Sequence, residues 1–337
     1  GSYTDALTLF ERVLSNRLDA AIQMRLHKLI ADAHEGHSAY DQAFANYNWS
    51  FQIAKQIKDP IGVTSALDGK GDVADKRGDF QDAQKYYQQA LAIARQTELP
   101  AQIAETLKGL GTVAAKRGQL DTAQTNFNEA LTITRELDDL RGVAANLNNL
   151  GIVMRLKGQL RQGQSYLQEA LELRQSIGDQ RGIASTLSNL GIISRILADY
   201  EGALAYYESG ADIFRTIGDL RGTATILNNI GIIQKNQGDL EAAAATYEEC
   251  VRLGERIGDQ RTVAYAQQNL GTIASSRGDA ETALKFLARS LETMKAIGDA
   301  KGQANTLRDL GLVFMQAERH EAALEQFEKA LKRYDAL

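Results

Sequence analysis

Cysteine, proline and tryptophan are nearly missing from this chain of 337 residues, which has one cysteine, two prolines and one tryptophan. The single cysteine, Cys250, excludes an internal disulfide, and we interpret it as a small packing residue rather than a nucleophile. Because proline interrupts helices, a chain with two prolines can form long helices without breaks. The sequence therefore predicts an all-helical protein.

A basic surface and long apolar runs are missing as well. The net charge of −5 and the isoelectric point near 5.6 give no cationic footprint for a phosphate backbone, so nucleic acid is not an expected partner. No apolar run approaches the roughly 20 residues that a membrane-spanning helix needs, so we expect no membrane insertion. Charge and cysteine usage together favour a cytoplasmic protein.

Glycine recurs with a fixed period of 40 residues along most of the chain. A period of this length indicates a solenoid, in which each repeat buries its apolar face against the neighbouring repeats. The glycines that define the period are Gly71, Gly111, Gly151, Gly191, Gly231, Gly271 and Gly311.

One repeat, residues 141–180, shows how the helices are specified. Leu147, Leu150 and Val153 recur at three-residue spacing and predict an apolar stripe on a first helix, called helix A. Gly158 predicts its end, since glycine adopts the left-handed conformation freely. A second helix, called helix B, follows, and an aspartate such as Asp179 is suited to cap the next helix A. The pattern predicts two antiparallel helices per repeat, and the same junction recurs at Asp139, Asp219, Asp259 and Asp299.

The choice among helical repeats depends on particular residues, because HEAT and armadillo repeats have similar periods. In one repeat the small and large apolar residues are Leu187, Leu190, Gly191, Tyr200, Ala203, Tyr207 and Gly210. Their order and spacing resemble the tetratricopeptide repeat (TPR) family, in its 40-residue subclass of the kinesin light chain and LGN/Pins type and of bacterial signalling arrays. That resemblance implies an all-α, right-handed α-solenoid, or superhelix, of antiparallel helix pairs.

The period predicts one continuous superhelix over residues 1–337. A leading half repeat at 3–16 reads as a helix B whose helix A is missing. Eight repeats follow, numbered 1 to 8, with predicted bounds of 20–59, 60–99, 100–139, 140–179, 180–219, 220–259, 260–299 and 300–337.

No arrangement of reactive side chains suggests an enzyme. His27, His34 and His37 lie close in sequence, but their spacing crosses a predicted helix end and lacks the HExxH arrangement, so we expect no metal site. Neither a Ser-His-Asp set nor a GxxxxGK[ST] loop is indicated. We expect no catalytic residue and no cofactor.

Acidic residues cluster in repeat 2, where Asp68, Asp72 and Asp75 fall at helical spacing. Lysine and arginine residues stand close to them in sequence. We interpret this cluster as a solvated charged face.

A retained asparagine on helix A is not explained by burial in the apolar stripe. It falls on a second inner arc of the helix, which lines the concave groove in TPR stacks, together with exposed isoleucines and a cationic row. Asparagine can both donate to and accept from a peptide backbone. The candidate peptide-binding residues are Asn148, Asn149, Ile152, Arg155, Ser188, Asn189, Ile192, Arg195, Asn228, Asn229, Ile232, Lys235 and Asn269.

Two interpretations of this arc stay open. The asparagines can line a groove, where the isoleucines would favour apolar side chains and the basic residues acidic ones. They can instead bond the adjacent helix and serve packing, and the isoleucines can touch neighbouring repeats. Repeats 2 and 3 carry Gly69 and Gly109 at this position, so a peptide is expected to be centred on repeats 4 to 7.

A row of arginines stands in the first turn of helix A, at Arg141, Arg181, Arg221 and Arg261. The helix dipole disfavours a cation there by roughly 0.3–1 kcal/mol. We expect each arginine to pair with the cap aspartate two residues earlier or with an acid on the preceding helix B, with ligand contact as the alternative.

The function favoured by these features is a non-enzymatic scaffold that binds an extended or helical segment of a protein partner in its concave groove. The alternative is an effector-sensing or autoregulatory segment of a larger regulator, such as a signal-transduction ATPase or a transcription activator. The sequence does not name the partner, and it leaves self-association open.

Overall fold

A computed structural model describes residues 3–14 and 18–335, and all elements in this part of the chain are α-helices. Residues 15 and 16 of the predicted half repeat lie outside the described residues. The chain divides into two compact bodies, Gly1–Ile177 and Gly178–Leu337, which we call the N-terminal and C-terminal bodies. The prediction of helix pairs without strands is confirmed for the described residues, whereas the single continuous superhelix stays a prediction.

The N-terminal body contains nine described helices. They are α1 (Tyr3–Leu14), α2 (Ala20–Gly36), α3 (Tyr40–Gln56), α4 (Pro60–Arg77), α5 (Phe80–Gln96), α6 (Pro100–Lys116), α7 (Leu120–Glu136), α8 (Leu140–Leu156) and α9 (Leu160–Ser176).

The C-terminal body contains eight described helices. They are α10 (Gln180–Ile196), α11 (Tyr200–Thr216), α12 (Leu220–Asn236), α13 (Leu240–Ile257), α14 (Gln260–Ser276), α15 (Ala280–Ala296), α16 (Ala300–Gln316) and α17 (His320–Tyr334). None of the described helices is both long enough and apolar enough to cross a membrane.

Within each body, every helix packs against the next one along the chain. The A helices, which are the even-numbered ones, also contact the A helix of the neighbouring repeat, as α10 contacts α12 and α12 contacts α14. In the described part of the chain, no two B helices approach each other as closely. The A-helix side of each body is therefore the tighter side, and the B helices are spread further apart.

Local signals at the junctions explain why the helices begin and end where they do. The side chain of Asp219 accepts a hydrogen bond from Gly222 N at 2.9 Å, and Asp299 accepts one from Gly302 N at 2.8 Å. These bonds satisfy backbone donors that the first turn leaves unpaired. Gly158, beyond the end of α8, has a φ of 76°, a left-handed conformation that is easiest for glycine. Both predictions of helix ends are confirmed.

The periodic glycine allows the two helices of a repeat to approach closely. A Cβ on Gly231 would lie 2.7 Å from the ring of Tyr247, which is fully buried on the following helix B. Tyr247 belongs to the core of the C-terminal body, together with Tyr207 and Ile226. Large aromatic residues thus fill the space that the glycines leave.

Candidate functional site

The A helices of the C-terminal body carry the predicted asparagines on one half-buried face. Asn189 on α10, Asn229 on α12 and Asn269 on α14 are neither fully buried nor fully exposed, and Ser188 and Asn228 are half-buried beside them. We call this face, formed by Ser188, Asn189, Asn228, Asn229 and Asn269, the A-helix groove. Each of these side chains is partly covered by its neighbours.

A small cavity lies in the groove between α12 and α14. Its volume is about 190 Å³, and Asn228, Asn229, Arg261 and Tyr265 line it. The Oδ1 atom of Asn228 is buried and has no hydrogen-bond partner among the described residues. A buried acceptor without a donor costs about 1–3 kcal/mol.

A second cavity of the same kind lies one repeat earlier, between α10 and α12. Its volume is about 340 Å³, and its lining includes Ser185, Ser188, Asn189, Arg221 and Thr225. Each cavity therefore combines amide and hydroxyl groups with an arginine from the first turn of the next A helix. A repeating chain of donors and acceptors is thus set out along the groove.

Lys235 makes hydrogen bonds to other residues of the protein inside the groove. Its Nζ donates to Asn269 Oδ1 at 3.0 Å and to Thr272 Oγ1 at 3.4 Å, and Asn269 Nδ2 donates to the carbonyl of Tyr265 at 3.1 Å. Burial lowers the pKa of Lys235, although the carboxylate of Asp309 opposes that change. Lys235 therefore joins two repeats and is not a free cation, and Asn269 keeps only part of its hydrogen-bonding capacity for a ligand.

The isoleucines of the groove do not form an exposed row. Ile192 and Ile232 are half-buried, and both pack against the core of the C-terminal body. The expectation of exposed isoleucines is wrong, because neighbouring helices cover most of each side chain.

The groove ends at α16 in a buried polar network. Gln268 Nε2 donates to Asp309 Oδ2 at 2.6 Å, and Arg308 pairs with the other oxygen of Asp309 at 2.8 Å. Asp309 is 5% exposed and stands where earlier repeats have asparagine. The amide ladder therefore stops before repeat 8.

In the N-terminal body, α8 carries the remaining candidate residues. Asn149, Ile152 and Arg155 are half-buried, as in the C-terminal body. Asn148, by contrast, is only 8% exposed, so the prediction that its side chain lines an open groove is wrong. The reason is local packing and not the helix period, since Ser188 and Asn228 also directly follow a buried leucine and stay half-buried.

Repeats 1 and 2 carry carboxylates at positions that repeat 4 fills with Ile152 and Arg155. The Tyr47 hydroxyl lies 2.7 Å from Asp32 Oδ1 and 2.6 Å from Glu35 Oε2 and can donate its one proton to either, and the Tyr87 hydroxyl donates to Asp72 at 2.6 Å. Gly69 stands where later repeats have asparagine, because a Cβ there would collide with the ring of Tyr47.

Asp68 lies among these carboxylates but is buried, with 8% of its surface exposed. It accepts a hydrogen bond from Thr106 Oγ1 at 2.8 Å, and burial raises its pKa to about 8. The interpretation of the Asp68 cluster as a solvated face is therefore wrong for Asp68. The sequence conceals this burial because the covering residue belongs to the following repeat.

The arginines of the first turn form ion pairs, but not with the predicted partners. Arg181 Nη2 lies 2.7 Å from Asp219 Oδ2, and Arg261 Nε lies 3.2 Å from Asp299 Oδ2. For these arginines the partner is the cap aspartate of the following repeat. The aspartate two residues before Arg221 is Asp219, which gives one oxygen to its own helix and the other to Arg181. Burial opposes ionisation of Asp219, but the hydrogen bonds from Gly222 and Arg181 hold its pKa below the usual value.

The histidines of repeat 1 have structural contacts. His27 Nδ1 lies 2.9 Å from Asn46 Oδ1, and its ring stacks on Trp49 with 6.0 Å between centroids. Across residues 3–14 and 18–335, no group of three or more His, Cys, Asp or Glu residues is placed to hold a metal ion.

Paired helices, a 40-residue period and a polar A-helix face define an α-helical repeat protein. The family model described as tetratricopeptide repeat matches residues 62–136, 102–176, 142–216, 182–256 and 259–336. The chain belongs to the tetratricopeptide repeat family, as the resemblance in the sequence predicted. The comparison with curated proteins gave no match.

Several solved structures share this fold at low sequence identity. The Rap conjugation gene regulator of plasmid pLS20, solved with the Phr* peptide, is 19% identical with a TM-score of 0.63, over 85% of this chain and 79% of that one. Aspartyl phosphate phosphatase F from Bacillus subtilis is 13% identical with a TM-score of 0.68, over 98% and 89%. A signal transduction ATPase with a tetratricopeptide repeat sensor from Pyrococcus horikoshii is 15% identical with a TM-score of 0.67, over 99% and 52%.

Sequence reasoning missed several residues that line the cavities, among them Ser185, Thr225 and Tyr265. All three occupy the same position, four residues after the first-turn arginine of their repeat. One signal could have found them, since that arginine was recognised as recurrent and the next turn of the helix lies on the same face.

Proposed function

We propose that the C-terminal body binds an extended segment of a partner protein along the A-helix groove and catalyses no reaction. The observation that carries this proposal is the buried Asn228 Oδ1, which has no donor among the described residues and belongs to a side chain that lines a cavity together with Asn229. An N–H group of an extended backbone would satisfy that oxygen. The amide of Asn229 offers both donors and an acceptor to the same segment, whatever its side chains.

The charges of the groove favour an acidic and apolar segment. The Nε atom of Arg195 is buried and has no acceptor among the described residues, so a ligand carboxylate would complete its bonding. Arg221 and Arg261 are largely exposed, and each has one aspartate partner, which leaves further donors for a ligand. The half-buried Ile192 and Ile232 offer a small apolar surface beside these groups.

A peptide-display selection on the purified chain tests this proposal. The selection is repeated with the double variant Asn189→Ala, Asn229→Ala and with the control Asn236→Ala, which removes an exposed amide at the end of α12. Loss of two hydrogen bonds of about 1 kcal/mol each predicts that selected acidic and apolar peptides bind the double variant about tenfold or more weakly. The control is expected to bind as the unchanged chain does.

Unchanged peptide binding by the double variant would refute the proposal. If the double variant keeps its helical circular dichroism and selects the same peptides with the same affinity, the asparagines serve packing and the groove is not the binding site.

A second candidate function is effector sensing within a larger regulator. It is favoured by the similarity to the ATPase with a tetratricopeptide repeat sensor, of which this chain spans about half the length. A full reading frame that encodes a nucleotide-binding or DNA-binding domain beside these repeats would support it. A frame that encodes repeats alone would count against it.

A further inference from the structure

The N-terminal body has an apolar cleft between the B helices α3 and α5. Phe51 on α3, Val63 and Leu67 on α4, and Ile93 on α5 form its walls, and we call it the B-helix cleft. Its volume of about 670 Å³ lies within the range of small-molecule sites in proteins. The cleft exists because neighbouring B helices are spread further apart than the A helices.

Ion pairs bridge the corresponding position in later repeats. Arg95 on α5 lies 2.6 Å from Glu129 on α7, and Arg135 on α7 lies 2.7 Å from Glu169 on α9. In the C-terminal body, Arg215 and Glu249 make the same bridge at 3.6 Å.

The B-helix cleft lacks this bridge. Lys55 stands one period before Arg95, and Gln89 stands one period before Glu129, so a neutral amide has replaced the carboxylate. In the described part of the chain, no ion pair joins Lys55 to any residue. The mouth of the cleft is therefore open, and one cation at its edge has no carboxylate partner.

Two further residues differ from those of the later repeats, and they make the cleft wider and its mouth more positively charged. Ala92 stands where α7, α9 and α11 carry Thr132, Glu172 and Asp212, so a short side chain replaces longer polar ones. Lys58 lies exposed beside Lys55 and holds a second ammonium group at the mouth. The carboxylate of Asp59 also lies in the lining, and one of its oxygens accepts a hydrogen bond from Ile61 N at 3.0 Å.

From this combination we infer that the B-helix cleft binds a single-chain anionic amphiphile, such as a medium-chain fatty acid. The apolar chain lies against Phe51, Leu67 and Ile93, and the carboxylate meets the two ammonium groups of Lys55 and Lys58. Two ammonium groups, of Lys55 and Lys58, face one carboxylate, of Asp59, in the lining of the cleft, and the net positive charge selects an anionic head. The site is separate from the A-helix groove and does not depend on the peptide proposed above.

Calorimetric titration with decanoate, decan-1-ol and decylammonium, below their micellar concentrations, tests this inference on the whole chain. We expect saturable binding of decanoate and weaker binding of decylammonium. Each methylene removed from the chain is expected to weaken binding by up to about fourfold. The double variant Lys55→Gln, Lys58→Gln is expected to lose about tenfold for decanoate and to bind decan-1-ol unchanged.

A matched pair of variants separates the cleft from the rest of the surface. Ala92→Glu places in the cleft the residue that α9 carries at Glu172, and it is expected to abolish decanoate binding. Thr132→Glu makes the same change one repeat later, on an exposed position outside the cleft, and is expected to have no effect. Thermal unfolding checks that both variants fold.

Equal decanoate binding by these two variants would overturn the inference, as would no saturable binding up to about 1 mM, the range of weak ligands. Binding that is sensitive to Ala92→Glu but is shown only by acidic and apolar peptides would assign the cleft to a protein partner instead, and would also overturn it.

Discussion

Replacing Asp68 with asparagine is expected to stabilise the N-terminal body at alkaline pH and to change little in acid. Asp68 is buried, bonded to Thr106, and has a pKa raised to about 8 by that burial. Asparagine can still accept the hydrogen bond from Thr106, but it never becomes charged. It is also the residue that repeat 4 carries at this position, as Asn148.

The magnitude follows from the difference between the folded and unfolded states. An aspartate in an unfolded chain ionises with a pKa of about 3.9, roughly four units below the value in the folded protein, and each unit corresponds to about 1.4 kcal/mol. Because the folded state holds the proton more tightly, the stability that Asp68 contributes is fully present below about pH 4. It is lost as the pH rises to about 8, by at most about 6 kcal/mol.

The assay is chemical unfolding followed by circular dichroism at pH 5 and pH 8.5, with the exposed Asp82→Asn as the control. Hydrogen exchange of α4 and α6 accompanies it, because a repeat protein can unfold in parts. The free energy of unfolding of Asp68→Asn should exceed that of the unchanged chain by clearly more at pH 8.5 than at pH 5. An equal difference at both values, or no gain at pH 8.5, would show that burial does not hold Asp68 protonated.

Two further predictions concern packing and reactivity. Gly231→Ala is expected to lower the free energy of unfolding by about 1–3 kcal/mol, because the new Cβ meets the ring of Tyr247. The control Gly36→Ala has open space around its new Cβ and should be neutral or stabilising. Equal melting temperatures for the two variants would contradict this prediction. Cys250 is fully buried, its thiol donates to the Ala224 carbonyl at 3.5 Å, and burial raises its pKa to about 12. A thiol reagent at pH 8 should therefore label Cys250 only after unfolding. Rapid labelling of the native chain would refute its buried placement.

The fold could be predicted from the sequence because its signals are local and repeated. Asp219 lies within three residues of the backbone group that it caps, and the positive φ of Gly158 is a property of that one residue at the end of its helix. Signals of this kind need no knowledge of the packing, and their recurrence every 40 residues leaves few alternative architectures.

The candidate site could be predicted only in part, because its details depend on contacts about one period apart. Asp68 is covered by Thr106, Arg181 reaches Asp219, and Lys235 bonds Asn269, each across 34 to 38 residues. The sequence shows that each residue recurs, but not which residue of the next repeat it meets. Half-burial of the asparagines follows from the helix period, whereas burial of Asn148 follows from packing that the period does not show.

The C-terminal body could gain or lose whole repeats and keep the contacts at its junctions, because of the cap aspartates Asp219, Asp259 and Asp299. Each uses one carboxylate oxygen for its own helix and the other for the arginine of the preceding repeat. Deletion of residues 220–259 would join Asp219 to Gln260, and Arg181 would still meet a cap aspartate in front of an intact A helix. Gain or loss of a repeat by recombination therefore requires no new junction to evolve, and the number of repeats can vary more readily than the spacing within any one of them.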